Sequence, residues 1–94
     1  MNSLEPYIEL TLRALHANPL VFFRESHKNI DILNPDADIT FEELGMDSLA
    51  RMELSIWLEL ELDLEITADE IERQGSLKRL ANLLMASAIP PQNR

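Results

Sequence analysis

The sequence predicts an all-α domain, and three observations carry that prediction. Apolar residues recur at the spacing of an amphipathic helix in three long segments. Two capping boxes, at Thr40 and Thr67, mark where helical turns begin. No strand with a period of two remains once the helices are assigned. We therefore expect a small bundle held together by three main helices.

The first helix is predicted over residues 4–17, with its N-cap at Ser3 or Asn2 and Pro6 in the tolerant first turn. Asn18-Pro19 ends this helix and can open a short second helix over residues 20–28. The face predicted to be buried has helical spacing: Leu4, Tyr7, Ile8, Thr11, Leu12 and Leu15.

The next segment carries the boundaries of the longest helix. Residues 34–36 are typical of a turn, and the Thr40 capping box precedes one helical turn that stops at Gly45. A strong helix then follows over residues 47–62.

Two further helices are predicted near the C-terminus. The Thr67 capping box opens a short helix that ends at Gly75. Ser76 caps the last helix, which Pro90 and Pro91 end. Its predicted buried face is Leu77, Leu80, Ala81, Leu84 and Ala88.

Length and composition indicate one domain. The chain has 94 residues, 46% of them hydrophobic, which is enough to build a core and argues against disorder. Its apolar runs are far shorter than the roughly 20 residues of a membrane span, and its start does not resemble a signal peptide. Without cysteine there is no disulfide or thiolate. We therefore expect a cytoplasmic monomer that does not contact membranes.

The negative charge is concentrated in the middle of the chain. Residues 36–72 contain thirteen acidic residues and one basic residue, Arg51, while the whole chain has a net charge of −9. This region should repel nucleic-acid phosphates and attract basic protein surfaces. The simpler alternative is that the charge only keeps the protein soluble.

The predicted long helix has more apolar residues than one face can bury. Leu54, Leu58 and Leu62 form one stripe, and a three-helix core normally needs only one. A second stripe lies roughly 150° away around the helix: Leu49, Met52, Ile56 and Leu60. If it is exposed beside Glu53 and Glu59, it favours a basic, grooved partner. Alternatively, the bundle encloses the whole helix.

The long helix begins in the sequence Leu44-Gly45-Met46-Asp47-Ser48-Leu49. This sequence resembles the Gly-x-Asp-Ser-Leu attachment motif of acyl and peptidyl carrier proteins. The segment Asn34-Pro35-Asp36-Ala37-Asp38 is similar to the acidic loop that precedes the motif in polyketide-type carriers. The segments after the motif resemble the second, third and fourth helices of the family: residues 49–66, 67–74 and 76–86.

The resemblance implies a four-helix bundle with a short third helix. It implies that a phosphopantetheinyl transferase attaches 4′-phosphopantetheine from coenzyme A to Ser48. The arm would then carry acyl groups as thioesters, in a freestanding carrier that is not itself an enzyme. Asp47 can cap the helix, and Gly45 allows the sharp turn that leaves Ser48 accessible. The pathway would be of polyketide, mixed or fatty-acid type, and the acidic loop favours the first two.

The resemblance also implies contacts with partner enzymes. Apolar contacts would come from Leu49, Met52 and Ile56. Carboxylates for partner arginines and lysines would come from Asp47, Glu53 and Glu59. The implied partners are the transferase, acyltransferases or ligases, and ketosynthase-type enzymes with basic docking surfaces.

Some features depart from the family pattern. Arg51 adds a positive charge, Trp57 is bulky, and the segment before the motif is long. Either the helix over residues 4–17 is the first helix of the bundle and residues 18–33 form an enlarged loop, which we favour, or it is an extra helix that precedes a short first helix. The predicted organisation has three parts: residues 1–33 before the motif region, residues 34–86 as the motif-bearing core, and residues 87–94 as a flexible tail.

Other functions have weaker support. An unmodified acidic helical interaction module is the main alternative. A hydrolase with Ser48 as nucleophile lacks the Gly-x-Ser-x-Gly elbow. The spacing of a calcium loop begins at Asp36, but its sixth position is Phe41 where glycine is needed. His16 and His27 show no ligand pattern, so we expect no metal.

Overall fold

The computed structural model describes residues 4–88 and contains five helices in that range. They are α1 (Glu5–Ala17), α2 (Glu25–Lys28), α3 (Ser48–Leu62), α4 (Ala68–Gln74) and α5 (Leu77–Ala88). Among the described residues, extended pairing is limited to one antiparallel bridge between Thr40 and Ser76. The all-α prediction is confirmed, with α4 as the short helix of the bundle. No helix between residues 4 and 88 is long and apolar enough to cross a membrane.

Helix α1 packs mainly on α5 and also contacts α3, so it is the first helix of the bundle. Its N-cap is Leu4, which makes no side-chain cap; the predicted caps Ser3 and Asn2 lie outside the described residues. Pro6 stands in the first turn, where its missing N–H breaks no helical bond. The predicted inner face divides into buried and half-buried members: Ile8, Thr11 and Leu15, then Leu4, Tyr7 and Leu12.

The predicted second helix is wrong in its extent, because residues 20–24 are not helical. Their backbone donors bond elsewhere: Leu20 N–H donates to Asn18 Oδ1 at 3.0 Å, and Phe22 N–H donates to the Leu44 carbonyl at 3.2 Å. Only the single turn of α2 remains of the predicted helix. Residues 18–33 are therefore an enlarged connection, as we favoured.

The predicted boundaries of α3 and α4 and the predicted start of α5 are confirmed, whereas Pro90 and Pro91, which we expect to end α5, lie outside the described residues. Asp47 caps α3, and the Thr67 capping box opens α4, whose C-cap is Gly75 in the left-handed region with φ 77°. Ser76 caps α5 by accepting the Arg79 N–H at 3.3 Å. Helix α3 ends at Asp63, which also has a positive φ of 55°, a conformation that aspartate tolerates.

The core lies between α1, α3, α4 and α5. Its fully buried side chains include Leu15 of α1, Leu54 and Leu58 of α3, and Ile71 of α4. Helix α5 contributes four predicted residues, Leu77, Leu80, Ala81 and Leu84, all with no exposed surface. The side chain of the fifth, Ala88, lies outside the described residues. Of the predicted tail at residues 87–94, residues 87 and 88 belong to α5, and residues 89–94 lie outside the described residues.

The segment before α3 is fastened to the start of α5. Leu77 N–H donates to the Ile39 carbonyl, and Phe41 N–H donates to the Gly75 carbonyl, each at 2.9 Å. Asp38 Oδ1 accepts the Lys78 N–H at 3.0 Å and so satisfies a free donor in the first turn of α5. These bonds place the motif-bearing turn against the α4–α5 junction.

A capping box stabilises that turn. Glu43 Oε2 accepts the Thr40 N–H at 3.1 Å and the Thr40 hydroxyl at 2.9 Å. Its Oε1 lies 3.2 Å from Nε2 of the buried His27. The Thr40 N–H, then the Thr40 hydroxyl and His27, hold the pKa of Glu43 below its ordinary value of 4.5.

We expect Asn18→Ala to lower the free energy of unfolding by about 1–3 kcal/mol. Asn18 is buried, and its Nδ2 donates to the Ala50 carbonyl of α3 at 2.8 Å while its Oδ1 holds Leu20. Urea unfolding measures the change. The matched control is Asn82→Ala, which removes an exposed amide bonded within α5 and should cost less than about 0.5 kcal/mol. Equal losses in the two variants would contradict this role of Asn18.

We expect Glu43→Gln to flatten the dependence of stability on acid pH. A lowered folded-state pKa contributes stability that is complete above the unfolded value and is lost as the pH falls through the folded value. Wild type should therefore lose more stability than the variant from about pH 5 to about pH 3. Thermal unfolding across this range, with the exposed neighbour Glu42→Gln as control, measures the difference. Parallel curves for wild type and Glu43→Gln would refute the prediction.

Candidate functional site

Ser48 is the first residue of α3, and its side chain is exposed. Asp47 precedes it as the N-cap, and its Oδ1 accepts the Ala50 N–H at 2.9 Å. The cap engages the third N–H of the helix. In an α-helix the earlier N–H groups, here those of Ser48 and Leu49, have no carbonyl partner within the helix.

The turn before Ser48 depends on Gly45, which has a φ of 65°. Gly45 N–H donates to the Glu42 carbonyl at 3.0 Å, and Met46 N–H donates to the Phe41 carbonyl at 3.1 Å. This pair of bonds is the Schellman motif, and Phe41 and Met46 supply its buried apolar contact. A side chain at position 45 would meet no atom within 4 Å, so the requirement for glycine comes from the backbone conformation.

The start of α3 fits an attached phosphodiester. An anion on the Ser48 oxygen would lie beside the unpaired N–H groups and the positive end of the helix dipole. The exposed hydroxyl leaves room for an enzyme and for a long substituent. Asp47 is the unfavourable neighbour, since its carboxylate repels a phosphate, although it is already bonded to Ala50.

The long connection between α1 and α3 forms three hydrogen bonds that hold this site in place. We predicted none of them from the sequence. Asn18 bonds the Ala50 carbonyl in the first turn of α3, and Phe22 N–H bonds the Leu44 carbonyl. His27 bonds Glu43; because its Nδ1 accepts the Arg24 N–H at 3.2 Å, Nε2 is the donor. Sequence patterns contain no signal for these bonds, since each joins residues 16 to 32 positions apart.

Helix α3 buries one stripe and exposes the other. Ala50, Leu54 and Leu58 have no exposed surface, and Leu62 is half-buried. The second stripe is between 52% and 81% exposed: Leu49, Met52, Ile56 and Leu60. The alternative of a fully enclosed helix is therefore wrong. The carboxylates Asp47, Glu53 and Glu59 are also exposed, and their contacts with partners stay a prediction.

The structure also accounts for the two unusual residues of α3. Trp57 is half-buried and packs against the core. Arg51 is 19% exposed; its Nη1 donates to the Met46 carbonyl at 3.2 Å, and its Nη2 lies 3.6 Å from a Glu72 carboxylate oxygen on α4. Arg51 therefore joins the motif turn to α4, a role that its position in the sequence did not reveal.

The histidines do not form a nucleophile–base pair with Ser48. His27 is engaged with Arg24 and Glu43, and His16 stacks on Phe23 with a ring-centroid distance of 4.1 Å. Among the described residues there is also no group of three or more histidine or carboxylate side chains placed to hold a metal ion. The site therefore offers an exposed acceptor hydroxyl without the partners of an activated nucleophile.

The family model for the phosphopantetheine attachment site matches residues 28–84, which is more than half of the chain. The match starts at the end of α2, contains the Gly45–Leu49 turn, and ends within α5. Neither the curated proteins nor the solved structures contain a match. The chain therefore belongs to the phosphopantetheine-attachment-site family of acyl and peptidyl carrier proteins, substrate-carrying modules whose cofactor is covalently bound 4′-phosphopantetheine.

Proposed function

We propose that Ser48 carries the phosphopantetheine arm and that the protein shuttles thioester-bound acyl intermediates between biosynthetic enzymes. The observation that carries the proposal is the exposed position of Ser48 at the first residue of α3, inside the matched range. There the helix N-terminus can stabilise the phosphodiester.

The other described serines support this choice. Ser55 donates its hydroxyl to the Ile66 carbonyl, and Ser76 is buried as the cap of α5. Ser26 and Ser87 are exposed, but Ser26 lies within the four-residue α2 and Ser87 lies in the last turn of α5. A C-terminal turn presents carbonyl groups and the negative end of the helix dipole, which disfavour a phosphodiester.

The transferase has to supply the base for loading, because His16 and His27 are engaged elsewhere. The Ser48 oxygen gives its proton to that base and forms the new P–O bond, while the phosphoanhydride bond of coenzyme A breaks and adenosine 3′,5′-bisphosphate leaves. When attached, the arm supplies the thiol that this cysteine-free chain lacks. The contribution of the chain is to present the hydroxyl and stabilise the phosphodiester.

We also propose that the exposed stripe of α3 is the docking surface for the transferase and for acyltransferase, ligase and ketosynthase-type partners. Leu49, Met52 and Ile56 would provide apolar contact, within an acidic rim formed by Asp47, Glu53 and Glu59. Charge pairs across such a rim mainly raise the association rate and select basic partners.

The pathway belongs to the same proposal. The acidic loop at residues 34–38 favours a polyketide or mixed pathway through its similarity to carriers of that type. Two of its residues also have structural roles, since Asn34 Oδ1 accepts the Asp36 N–H and Asp38 caps α5. Loading the protein with malonyl and fatty-acyl groups by enzymes of each pathway would distinguish the possibilities.

We expect coenzyme A and a broad-specificity phosphopantetheinyl transferase to add one phosphopantetheine mass to wild type and none to Ser48→Ala. Ser48 is exposed and makes no contribution to the core, so Ser48→Ala should keep the helical content and melting temperature nearly unchanged. Intact-mass spectrometry and circular dichroism measure both properties.

The matched control for loading is Ser26→Ala, which removes another exposed serine and should be modified like wild type. A modified Ser48→Ala protein would place the arm elsewhere. If folded wild type gained no mass from several transferases, the unmodified interaction module would be the better description.

We expect Met52→Ser and Glu53→Lys, each tested alone, to lower kcat/KM for the transferase by about 5- to 30-fold, corresponding to about 1–2 kcal/mol. Met52→Ser removes apolar contact. Glu53→Lys reverses a charge that would attract a basic partner, so the effect of Glu53→Lys should shrink at high salt. Because both residues are exposed, each variant should change the free energy of unfolding by less than about 0.5 kcal/mol.

The controls repeat the same changes away from α3, as Leu33→Ser in the long connection and Glu9→Lys on α1. Both positions are exposed, so the variants should retain wild-type turnover. If the control variants lost as much kcat/KM as the α3 variants, the type of substitution, and not its place on α3, would explain the loss.

A further inference from the structure

Arg51 is held beside the turn that leads into Ser48. Its Nη1 bonds the Met46 carbonyl at 3.2 Å, two residues before Ser48. Its second contact, at 3.6 Å to Glu72, is long, and the Glu72 side chain is 62% exposed. A long ion pair with one exposed partner contributes little, on the order of 1 kcal/mol or less. The guanidinium can therefore exchange Glu72 for a better anion at little cost.

Ser48 and Arg51 are three residues apart in α3 and therefore neighbours on its surface. They differ by about 60° around the helix axis, with Arg51 on the side away from Met52 and Ile56. Side chains of an α-helix point toward its N-terminus, and the Met46 bond shows that Arg51 does so. The guanidinium thus covers the helical turn that contains Ser48.

The negative charge around Ser48 also favours a cation beside it. Arg51 is the only lysine or arginine among residues 36–72, and the acidic residues there number thirteen. A phosphodiester on Ser48 would add another negative charge next to Asp47. Arginine matches phosphate oxygens with its planar fork of donors, and such charge-assisted bonds are stronger than neutral ones.

A cleft of about 420 Å³ opens on the Arg51 side of the helix. Phe41 and Met46 line it together with Arg51 and Glu72. It therefore combines an apolar surface and the guanidinium with two carboxylates, Glu42 and Glu72, and its lining reaches Met46, two residues before Ser48. The exposed stripe of α3 lies on the other side of Ser48.

We propose that Arg51 is a positioning residue for the prosthetic arm, binding the phosphodiester oxygens on Ser48 in place of Glu72. The arm then leaves α3 toward the cleft and keeps the exposed stripe free for partner enzymes. This inference rests on the proposed attachment at Ser48. It makes the contact between Arg51 and α4 dependent on whether the arm is present.

The test compares apo and loaded protein by NMR, after mass spectrometry has established loading. The Nε–Hε signal of Arg51 should shift on loading, while that of Arg79, an exposed arginine of α5, should stay in place. The ³¹P signal of loaded Arg51→Gln should differ from that of loaded wild type, and loaded Arg79→Gln should match wild type. Arg51→Lys, which keeps the charge but loses the fork, should give an intermediate ³¹P shift.

The two proposals fail in distinguishable ways. Absence of a mass increment would reject attachment at Ser48. A normal increment with an unmoved Arg51 signal would reject the role of Arg51 alone, as would identical ³¹P signals in wild type and Arg51→Gln. The Arg51 signal is read in wild type, so this arm of the test holds even if Arg51→Gln loses its Met46 bond and unfolds.

Discussion

The burial of one face of α3 is the constraint on which the rest of the site depends. Ala50, Leu54 and Leu58 have no exposed surface, and together they set the rotation of the helix about its own axis. Because α-helical positions are related by fixed angles, this rotation also sets the directions of Ser48, Arg51 and the second apolar stripe. One packing decision therefore determines which side chains a partner or a modifying enzyme can reach.

The start of α3 is held as firmly as its buried face. The left-handed Gly45 closes the preceding turn, Met46 anchors that turn in the core, and Asp47 caps the helix. The long connection then adds the Asn18 and Phe22 bonds from outside. The proposed attachment at Ser48 gains from this arrangement, because the exposed hydroxyl is presented at a defined position.

The acidic side chains of residues 36–72 fall into two groups, one exposed to solvent and one that stabilises the local structure. Glu53 and Glu59 are exposed along α3, where they are available to a basic surface. Glu43 and Asp38 instead serve the fold by accepting backbone N–H bonds, which fasten the motif turn and α5. The acidic composition of residues 36–72 is thus not a single feature, and only part of it is available to partners.

Local patterns in the sequence determined the helices and their ends. The capping boxes at Thr40 and Thr67 and the glycines at 45 and 75 work through bonds between residues at most five positions apart, so the sequence around them is sufficient. The two apolar stripes of α3 were also visible from helical spacing, and the attachment motif identified the family, which the match of the family model to residues 28–84 confirms. The small size of the bundle predicted that only one of the two stripes would be buried.

The tertiary structure decided what depends on distant partners. Residues 20–24 include Val21, Phe22 and Phe23, which are weak helix formers, and the Phe22 N–H donates to the distant Leu44 carbonyl, so only α2 remains of the predicted second helix. The hydrogen bond from Asn18 to Ala50 joins residues 32 positions apart, and Arg51 forms an ion pair with Glu72 on another helix. Such contacts form only when packing brings the elements together, so neither spacing nor composition could reveal them.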